Sequence, residues 1–250
     1  MKELQGRTAL VTGASKGLGK AMSIALAAQG ASVALVARDR ARLEETAAEI
    51  HAAGGIAEVF TADATIEADY LRLDQEVSTK LGKVQILVNN AGMNLRKNIT
   101  DFTLEEWKLV IDTNLTSVFL GCRQFVPHMK GTGYGRIINL TSMMAHISLP
   151  QRTAYSSSKA AILGLTKALA LELAPEGITV NGISPGPIAT EINAPILNNP
   201  ELNASFVAKI PVGRWGKVEE IGALAAYLCR EEAGFITGTD ILIDGGWCAQ

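Results

Sequence analysis

The amino-acid sequence predicts an α/β protein with a single domain, in which helices cover both faces of a parallel sheet of seven strands. Three observations support this prediction. Short apolar segments alternate with helical patterns along the entire chain, 48% of the 250 residues are hydrophobic, and no internal repeat or low-complexity linker marks a domain boundary. Because right-handed crossovers place helices on both faces of a parallel sheet, the alternation indicates a doubly wound fold. A chain of this length can bury a large core, so residues 1–250 are expected to form one domain.

The strands are predicted where runs of apolar residues are closed by turn residues, as in strands buried on both faces. These runs occupy residues 8–12, 32–37, 56–62, 84–89, 136–141, 178–184 and 240–243. Helical patterns occupy residues 19–29, 41–53, 67–81, 103–129, 154–174 and 218–229. The pair Gly54-Gly55 ends the second helix, as a C-terminal cap would.

The least regular part of the chain, residues 186–211, is rich in proline. A loop of this length in a compact domain is usually functional. We therefore expect these residues to form a lid over the substrate.

Composition and charge exclude several classes of protein. The 23 basic and 25 acidic residues leave a net charge of −2, which argues against a disordered chain and against a nucleic-acid-binding surface. No apolar run approaches the ~18 residues that a membrane helix needs, so we expect a cytoplasmic protein that contacts no membrane. The 3 cysteines lie far apart, which fits reduced thiols, and the 3 histidines are too scattered for a metal site.

A glycine-rich loop with the sequence T-G-A-S-K-G-L-G joins the first strand to the first helix. Backbone N–H groups and the helix dipole at such a junction can bind a pyrophosphate. Gly13 allows a tight turn, Gly17 lets phosphates approach the backbone, and Gly19 lets the helix pack closely against the strand. A glycine turn without a ligand is the alternative, because the spacing differs from the usual G-x-G-x-x-G pattern. The candidate cofactor-binding residues of this loop are Gly13, Ser15, Lys16, Gly17, Leu18 and Gly19.

The residues at the end of the second strand indicate which dinucleotide is bound. A carboxylate there would accept hydrogen bonds from the 2′-hydroxyl of the adenosine ribose, whereas a guanidinium would pair with a 2′-phosphate. Ala37 stands where the acid is expected and Arg38 follows it, while Lys16 supplies a second positive charge. We therefore predict NADP(H) in preference to NAD(H). A shift of one residue would instead place Asp39 on the ribose, and solvated surface charges are the other alternative.

Two further strand ends complete the predicted dinucleotide site. Asn90, Ala91 and Gly92 close the fourth strand at the carboxyl edge of the sheet, where ligands bind and where small residues let a cofactor approach. Asp63 ends the third strand, and its carboxylate could bind the adenine amino group, with Ala64 beside it. A plain turn and a surface carboxylate are the alternatives for these two segments.

Ser142, Tyr155 and Lys159 form the predicted catalytic group. Tyr155 and Lys159 share one face near the start of a helix, and Ser142 ends the preceding strand at the same sheet edge. A free tyrosine loses its proton near pH ~10, but a neighbouring ammonium stabilises the phenolate. Tyr155 would protonate the alkoxide formed by hydride transfer to a carbonyl carbon, or deprotonate an alcohol in reverse. Ser142 would hydrogen-bond the substrate oxygen, and Lys159 would also bind the nicotinamide ribose.

These motifs, in this order, resemble the classical short-chain dehydrogenase/reductase family over almost the entire chain. The matching segments are the glycine loop, residues 89–92, Asn114, Ser142, residues 155–159 and Pro185-Gly186. The resemblance implies a Rossmann fold and a homotetramer packed through the long helices and the last strand. It also implies that Asn114 is a fourth catalytic residue, which holds a helix distortion and a water that links Lys159 to solvent. The nicotinamide-binding residues that it implies are Pro185, Gly186, Ile188 and Thr190.

The substrate is expected to be a small carbonyl compound or alcohol, and two specific activities stay open. Residues 90–97 resemble those of gluconate 5-dehydrogenase-like members, in which Arg96 would bind a carboxylate bidentately. 3-Oxoacyl-carrier-protein reductases carry an arginine nearby and share residues 135–139, and there Arg96 would be a surface residue. Met144 and His146 suggest a largely apolar pocket wall, suited to an acyl chain or a hydrophobic ketone. A dinucleotide-binding sensor without catalysis is a further alternative, although the predicted catalytic residues are present.

Overall fold

The computed structural model describes residues 2–250, with the side chain of residue 192 excepted. Its strands are β1 (Thr8–Thr12), β2 (Ser32–Ala37), β3 (Ile56–Thr61), β4 (Ile86–Asn89), β5 (Gly135–Leu140), β6 (Ile178–Pro185) and β7 (Asp240–Ile243). They form one parallel sheet in the order β3-β2-β1-β4-β5-β6-β7. The predicted Rossmann fold with seven parallel strands is confirmed.

Helices cover both faces of this sheet. They are α1 (Gly17–Ala28), α2 (Arg40–Ala52), α3 (Glu67–Leu81), α4 (Leu104–Ile111), α5 (Ser117–Met129), α6 (Thr153–Leu173), α7 (Ala194–Leu197), α8 (Pro200–Val207) and α9 (Val218–Leu228). The core on one face is built with α1, α2 and α9, and the core on the other face with α3, α5 and α6.

Neighbouring residues of the central strands are buried on opposite faces of the sheet. In β1, Val11 belongs to the core beneath α1, α2 and α9, whereas Leu10 belongs to the core beneath α3, α5 and α6. Both side chains are fully buried. Because neither face of the strand meets water, its sequence is continuously apolar and does not alternate, which is the pattern that predicted it.

The strand order reverses beside β1, which pairs with β2 on one side and with β4 on the other. The connections that leave the carboxyl ends of β1 and β4 therefore run to opposite faces of the sheet and leave a crevice between them. The glycine loop leaves β1 and residues 90–92 leave β4 at this point. The fold thus brings two of the predicted cofactor-binding segments together.

The helical pattern predicted over residues 103–129 is divided into α4 and α5 by a π-helical turn at Asp112–Thr116. A capping box starts α4: the Thr103 hydroxyl accepts from the Glu106 N–H at 3.2 Å, and the Glu106 carboxylate accepts from the Thr103 N–H at 3.1 Å. Single π turns are frequent at functional sites. This turn contains Asn114, so the chain is distorted where the family resemblance implies.

Residues 186–211, predicted to lack regular structure, contain a 3₁₀ turn at Glu191–Asn193 and the helices α7 and α8. The prediction was wrong because it treated the prolines as breakers. Pro195 and Pro200 lie in the first turns of α7 and α8, where a missing N–H costs no helical hydrogen bond. Asn199 caps α8, its Oδ1 accepting from the Leu202 N–H at 3.1 Å.

Candidate active site

A cavity of about 950 Å³ follows the carboxyl edge of the sheet across the crevice beside β1. Of the predicted site residues, those that line it are Gly13, Ser15, Lys16, Gly17, Leu18, Arg38, Asp63, Ala64, Asn90, Ala91, Gly92, Arg96, Ser142, Met144, Tyr155, Lys159, Pro185, Gly186, Ile188 and Thr190. Gly19, Asn114 and His146 lie outside this lining. The fold therefore gathers the predicted dinucleotide loops and the predicted catalytic group around one space.

The three glycines of the glycine loop meet different surroundings. Gly13 has φ +66°, and a Cβ there would lie 2.7 Å from Asn90 Nδ2. A Cβ on Gly19 would lie 2.2 Å from the Gly13 carbonyl oxygen, so α1 packs directly against the loop. Gly17, with φ +55°, faces open space, since the nearest atom to such a Cβ is Thr190 Cγ2 at 4.0 Å. The tight turn, the close packing and the open backbone therefore fall on the glycines for which the sequence predicts them.

The first turn of α1 presents backbone N–H groups at the cavity. Lys16 is the N-cap residue but provides no side-chain cap, and no acidic residue lies in the first turn. These N–H groups and the positive end of the helix dipole are therefore available to an anion. Together with the open space over Gly17, this fits the pyrophosphate of a dinucleotide.

Asn90 ties the end of β4 to the glycine loop. Its Nδ2 donates to the carbonyl oxygens of Thr12 at 2.9 Å and Gly13 at 3.1 Å. In return, Thr12 Oγ1 accepts from the N–H groups of Asn90 and Ala91, both at 3.0 Å. The two loops that face the cavity are thus held in one arrangement by bonds that involve no ligand.

The adenosine end of the cavity, at the carboxyl ends of β2 and β3, carries Arg38 and Asp63. Arg38 is exposed, and its Nη1 lies 3.6 Å from Asp63 Oδ2. Burial raises the pKa of Asp63, but hydrogen bonds from Thr65 and the charge of Arg38 outweigh it, and the net shift is downward. Asp39, the alternative ribose ligand, instead caps α2, its Oδ1 accepting from the Arg42 N–H at 3.2 Å.

A carboxylate from residues 186–211 reaches the same adenosine end. Glu191 Oε2 lies 3.1 Å from Arg42 Nη1 and 3.5 Å from Lys16 Nζ. The hydrogen bond and the charge of Arg42 lower the pKa of Glu191. Arg42 and Glu191 were not among the predicted site residues, because they are 149 positions apart in the chain and no local pattern indicates that they meet.

Tyr155 and Lys159 lie on successive turns of α6, and Ser142 follows the end of β5. Lys159 Nζ donates to the Leu140 carbonyl oxygen at 2.5 Å and lies 5.9 Å from the centroid of the Tyr155 ring. Ser142 Oγ accepts from the Met144 N–H at 3.1 Å, which holds the serine side chain in place. The three predicted catalytic side chains therefore meet at one end of the cavity, here called the catalytic end.

Burial dominates the protonation of the catalytic end. It raises the pKa of Tyr155, and hydrogen bonding to Ser142 and the charge of Arg152 oppose this rise without reversing it. Burial also lowers the pKa of Lys159 to about 8. From the sequence, the Lys159 ammonium was expected to lower the pKa of Tyr155. In the structure the opposite direction prevails, because loss of water around a phenol disfavours its charged form.

Asn114 lies behind the catalytic end and is fully buried. Its Oδ1 accepts from the Met93 N–H at 2.7 Å, and its Nδ2 donates to the Met93 carbonyl oxygen and to Ser158 Oγ, both at 2.9 Å. A Cβ on Gly92 would lie 3.3 Å from Asn114 Oδ1 and 3.6 Å from Lys159 Nζ. Asn114 therefore links the segment after β4 to α6 beside the lysine.

The backbone after β6 passes along the cavity wall. A Cβ on Gly186 would lie 2.4 Å from Asp244 Cα, so the chain can pass there only with glycine. The Gly216 N–H donates to the Pro187 carbonyl oxygen at 2.9 Å, and the Ala189 N–H donates to the Gly216 carbonyl oxygen at 2.9 Å. This pair of bonds anchors Ile188 between them, where it faces the cavity.

Two of the three predicted substrate residues lie at the cavity and the third does not. Arg96 and Met144 line the cavity, but His146 does not. His146 Nε2 lies 2.6 Å from Asp240 Oδ2, at the start of β7. The hydroxyl of Ser184 donates to the same Asp240 oxygen at 2.6 Å. The expectation for His146 fails because Asp240, 94 positions away, reaches the histidine only through the pairing of β6 with β7.

Two polar side chains at the cavity were missed from the sequence, Asn94 and Arg152. Asn94 Oδ1 and Arg152 Nη1 are both buried without a hydrogen-bond partner in the part of the chain that the structure describes. Arg152 is the N-cap residue of α6. Its position one helical turn before Tyr155 is the signal that could have found it, because such residues lie on the same face.

Within residues 2–250, no group of three His, Cys, Asp or Glu side chains is placed to hold a metal ion. No helix in that range is both long and apolar enough to cross a membrane. Cys122, Cys229 and Cys248 are all free thiols.

Known proteins resemble this chain along almost its whole length. The family model for enoyl-(acyl carrier protein) reductase matches residues 13–248. The chain is 41% identical to 3beta-hydroxysteroid dehydrogenase 1 of Eggerthella lenta, over 98% of this chain and 94% of that protein. It is 35% identical to 2-dehydro-3-deoxy-D-gluconate 5-dehydrogenase of Bacillus subtilis, over 99% of this chain and 96% of that protein.

Solved structures also resemble this chain along almost its whole length. One from Beutenbergia cavernae, assigned as an NAD(P)-dependent gluconate 5-dehydrogenase and holding NADP at low occupancy, superposes with a TM-score of 0.93 at 35% identity and 99% coverage of both chains. A short-chain type dehydrogenase/reductase from Mycobacterium marinum superposes with a TM-score of 0.92 at 41% identity, over 98% of this chain and 96% of that one. The chain therefore belongs to the short-chain dehydrogenase/reductase family and is an NAD(P)-dependent oxidoreductase that acts on alcohol or carbonyl groups.

Proposed function

We propose that this enzyme interconverts a ketone and a secondary alcohol with NADP(H), and that Tyr155 is its general acid and base. One observation carries the proposal: Tyr155, Ser142 and Lys159 meet at one end of a cavity that also contains the uncapped first turn of α1. This distribution suits a dinucleotide whose pyrophosphate lies on α1 and whose nicotinamide lies beside Tyr155.

The catalytic residues handle the substrate oxygen and its proton. When bound, the dinucleotide supplies a hydride to the carbonyl carbon or removes one from the alcohol carbon. Ser142 hydrogen-bonds the substrate oxygen. In reduction the Tyr155 hydroxyl donates its proton to that oxygen as the C=O bond becomes C–O, and in oxidation the phenolate takes the proton back. A tyrosine is ordinarily protonated near neutral pH, and burial reinforces this by raising the pKa of Tyr155, which suits the reductive direction.

Lys159 and Asn114 support this proton transfer. The Lys159 ammonium stabilises the phenolate as it forms and binds the nicotinamide ribose. Because burial lowers the pKa of Lys159 to about 8, the lysine can exchange protons near neutral pH. Asn114 holds the backbone beside Lys159 and, with a water, connects it to solvent, so that Tyr155 is reprotonated after each turnover.

The preference for NADP(H) over NAD(H) is part of the proposal. Lys16, Arg38 and Arg42 line the adenosine end, and a 2′-phosphate is a stronger partner for such cations than a hydroxyl. Asp39, the alternative ribose ligand, is engaged in capping α2. The NADP bound to the Beutenbergia cavernae protein is consistent with this choice.

The proposal extends to a lid and to a homotetramer. Residues 186–211 bring Ile196 and Phe206 to the cavity wall, and a movement of α7 and α8 would open the cavity.

Leu171 on α6 and Leu242 on β7 are exposed apolar side chains that subunit contacts in a homotetramer would cover. Light scattering after gel filtration tests the assembly, with four copies of the 26.5 kDa chain as the expected mass.

The decisive experiment replaces the proposed acid and base. In Tyr155→Phe, kcat for NADPH-dependent reduction of a carbonyl panel is expected to fall by roughly 10³-fold, because only the transferable proton is lost. NADPH affinity, measured by fluorescence titration, is expected to change by less than about threefold. Native turnover by this variant would refute the mechanism. NADPH binding to the native protein without turnover of any carbonyl would favour the dinucleotide sensor instead.

A further inference from the structure

Two guanidinium groups, those of Arg96 and Arg152, line the cavity together with Ser142 and Tyr155. Within residues 2–250 neither forms a salt bridge. Arg96 projects from the segment after β4, and Arg152 is the N-cap residue of α6. The fold therefore places two positive charges from separate elements beside the catalytic end and supplies no acid to neutralise them.

The two cations also repel each other. Burial and the charge of Arg96 both lower the pKa of Arg152. Arg152 Nη1 is buried and donates to no acceptor that the structure describes. A buried, charged donor without a partner is costly, and an anion shared between the two guanidinium groups would remove both the repulsion and the unmade hydrogen bond.

The backbone directly before Arg152 has a conformation that residues other than glycine seldom adopt. Gln151 has φ +65°, the left-handed region, and it is the sole non-glycine residue with a positive φ among those that the structure describes. Such conformations persist where the surrounding structure imposes them and are concentrated at functional sites. Gln151 directly precedes Arg152, which stands one turn before Tyr155, and the charge of Arg152 acts to lower the pKa of Tyr155.

A third group without a partner completes the arrangement. Asn94 Oδ1 is buried, lines the same cavity and accepts no hydrogen bond from the residues that the structure describes. An amide oxygen of this kind is a partner for a hydroxyl group. The cavity that contains the proposed acid therefore also offers donors for a carboxylate and an acceptor for a hydroxyl.

We infer that the substrate is a hydroxylated keto acid, or the corresponding hydroxy acid, whose carboxylate is held jointly by Arg152 and Arg96 and whose hydroxyl donates to Asn94. The inference rests on the proposed function and narrows its substrate class. It favours a gluconate 5-dehydrogenase-like activity over a 3-oxoacyl-carrier-protein reductase activity, the two that the sequence left open. An acyl thioester carries no carboxylate near its ketone and would leave both guanidinium groups without a partner, whereas a sugar-acid type of substrate would engage them bidentately.

The test compares linear keto acids with their primary amides, which differ in the charge of the carboxyl group. In the native enzyme we expect kcat/KM to favour each acid over its amide by about 100-fold, since hydrogen bonds to charged groups are the strong ones. Arg152→Gln is expected to reduce this acid-to-amide ratio to roughly unity, Arg152→Lys to restore it partly, and Arg96→Gln to lower it about tenfold. Arg72→Gln, at an exposed arginine on α3 that pairs with Asp69 and Glu76, is the matched control and should leave the ratio unchanged.

A second comparison of substrates tests the proposed hydrogen bond from a substrate hydroxyl to Asn94. A keto acid with hydroxyl groups is expected to be favoured over its deoxy analogue by about tenfold, and Asn94→Ala should remove that preference while the acid-to-amide ratio persists. Equal reduction of acids, amides and an acetoacetyl thioester would overturn the inference while the proposed function stood.

A binding measurement tests the site without turnover. D-gluconate is titrated calorimetrically into the protein alone, with native, Arg152→Gln and Arg72→Gln chains. We expect binding to the native and control chains and at least tenfold weaker binding to Arg152→Gln. Equal binding to all three, or no binding to the native chain, refutes the carboxylate site whatever the outcome for the hydride transfer.

Discussion

The two ends of the cavity hold their polar groups in different ways. At the catalytic end Lys159 is 4% exposed and Asn114 is fully buried, and each bonds to backbone atoms. At the adenosine end the Arg38 side chain is 81% exposed, and the Lys16–Glu191 and Arg42–Glu191 pairs lie on the surface. One end is thus built from buried side chains bonded to the backbone and the other from solvated charge pairs.

Because of this difference, substitutions at the two ends of the cavity should affect turnover and dinucleotide preference separately. Buried groups shift one another's protonation strongly, and removal of one leaves its partner unsatisfied. Exposed ion pairs contribute little each and are screened by salt. Substitutions of the proposed catalytic residues should therefore lower kcat strongly, whereas those at the adenosine end should change which dinucleotide is preferred and how tightly it binds.

The largest effect in this comparison is expected from Lys159→Met. The variant removes the ammonium that stabilises the phenolate, so kcat at saturating substrate and NADPH should fall by roughly 10³-fold. Lys167→Met, at an exposed lysine farther along α6, is the matched control and should keep native kcat. A loss of less than about tenfold in Lys159→Met would mean that proton transfer by Tyr155 does not depend on the buried ammonium.

The same lysine should make stability depend on pH. Burial lowers the pKa of Lys159 from 10.5 to about 8, so between these values the unfolded chain binds a proton that the folded chain does not. Stability therefore rises with pH in this window. Urea unfolding without dinucleotide should show the native protein gaining up to about 3 kcal/mol relative to Lys159→Met between pH ~8 and ~10.5. Parallel curves for the two proteins would show that the ammonium is not buried in solution.

A smaller effect is expected at the adenosine end from Arg38→Ser. Without the guanidinium, the ratio of kcat/KM for NADPH to that for NADH should fall about tenfold, and kcat with NADPH should stay within about twofold. Arg40→Ser removes an exposed arginine that pairs with Glu44 on α2 and should leave the ratio unchanged. Should Arg38→Ser lower kcat strongly, the proposed independence of the two ends would be wrong.

The smallest effect is expected from Glu191→Gln. This change releases Lys16 and Arg42 from their carboxylate partner, and KM for NADPH should fall about two- to threefold at low salt. The gain should shrink as ionic strength rises, because the groups are exposed. Glu201→Gln, at an exposed glutamate in the first turn of α8, serves as the control. A higher KM in Glu191→Gln would show that Glu191 helps to bind the dinucleotide.

The sequence predicts the fold well because the fold depends on repeated local patterns. Every strand of the sheet was expected to within two residues at either end, and helix α3 at Glu67–Leu81 matches its prediction at both ends. The glycine loop and the Tyr155–Lys159 pair were recognisable because each lies on one short segment. The prolines of residues 186–211 led to the prediction of an irregular segment, since a proline in the first turn of a helix looks the same in sequence as one that breaks it.

The amino-acid sequence by itself therefore determined the parallel sheet, the glycine loop and the tyrosine and lysine of α6, since each follows from spacing within one strand, turn or helix. Only the tertiary structure decided that Arg152 and Arg96 line one cavity, that Glu191 reaches Arg42, and that His146 lies against Asp240. It also decided the direction in which the pKa of Tyr155 moves. The physical reason is that charge, desolvation and hydrogen bonding act through space, and these partners meet only when distant elements have packed around the sheet.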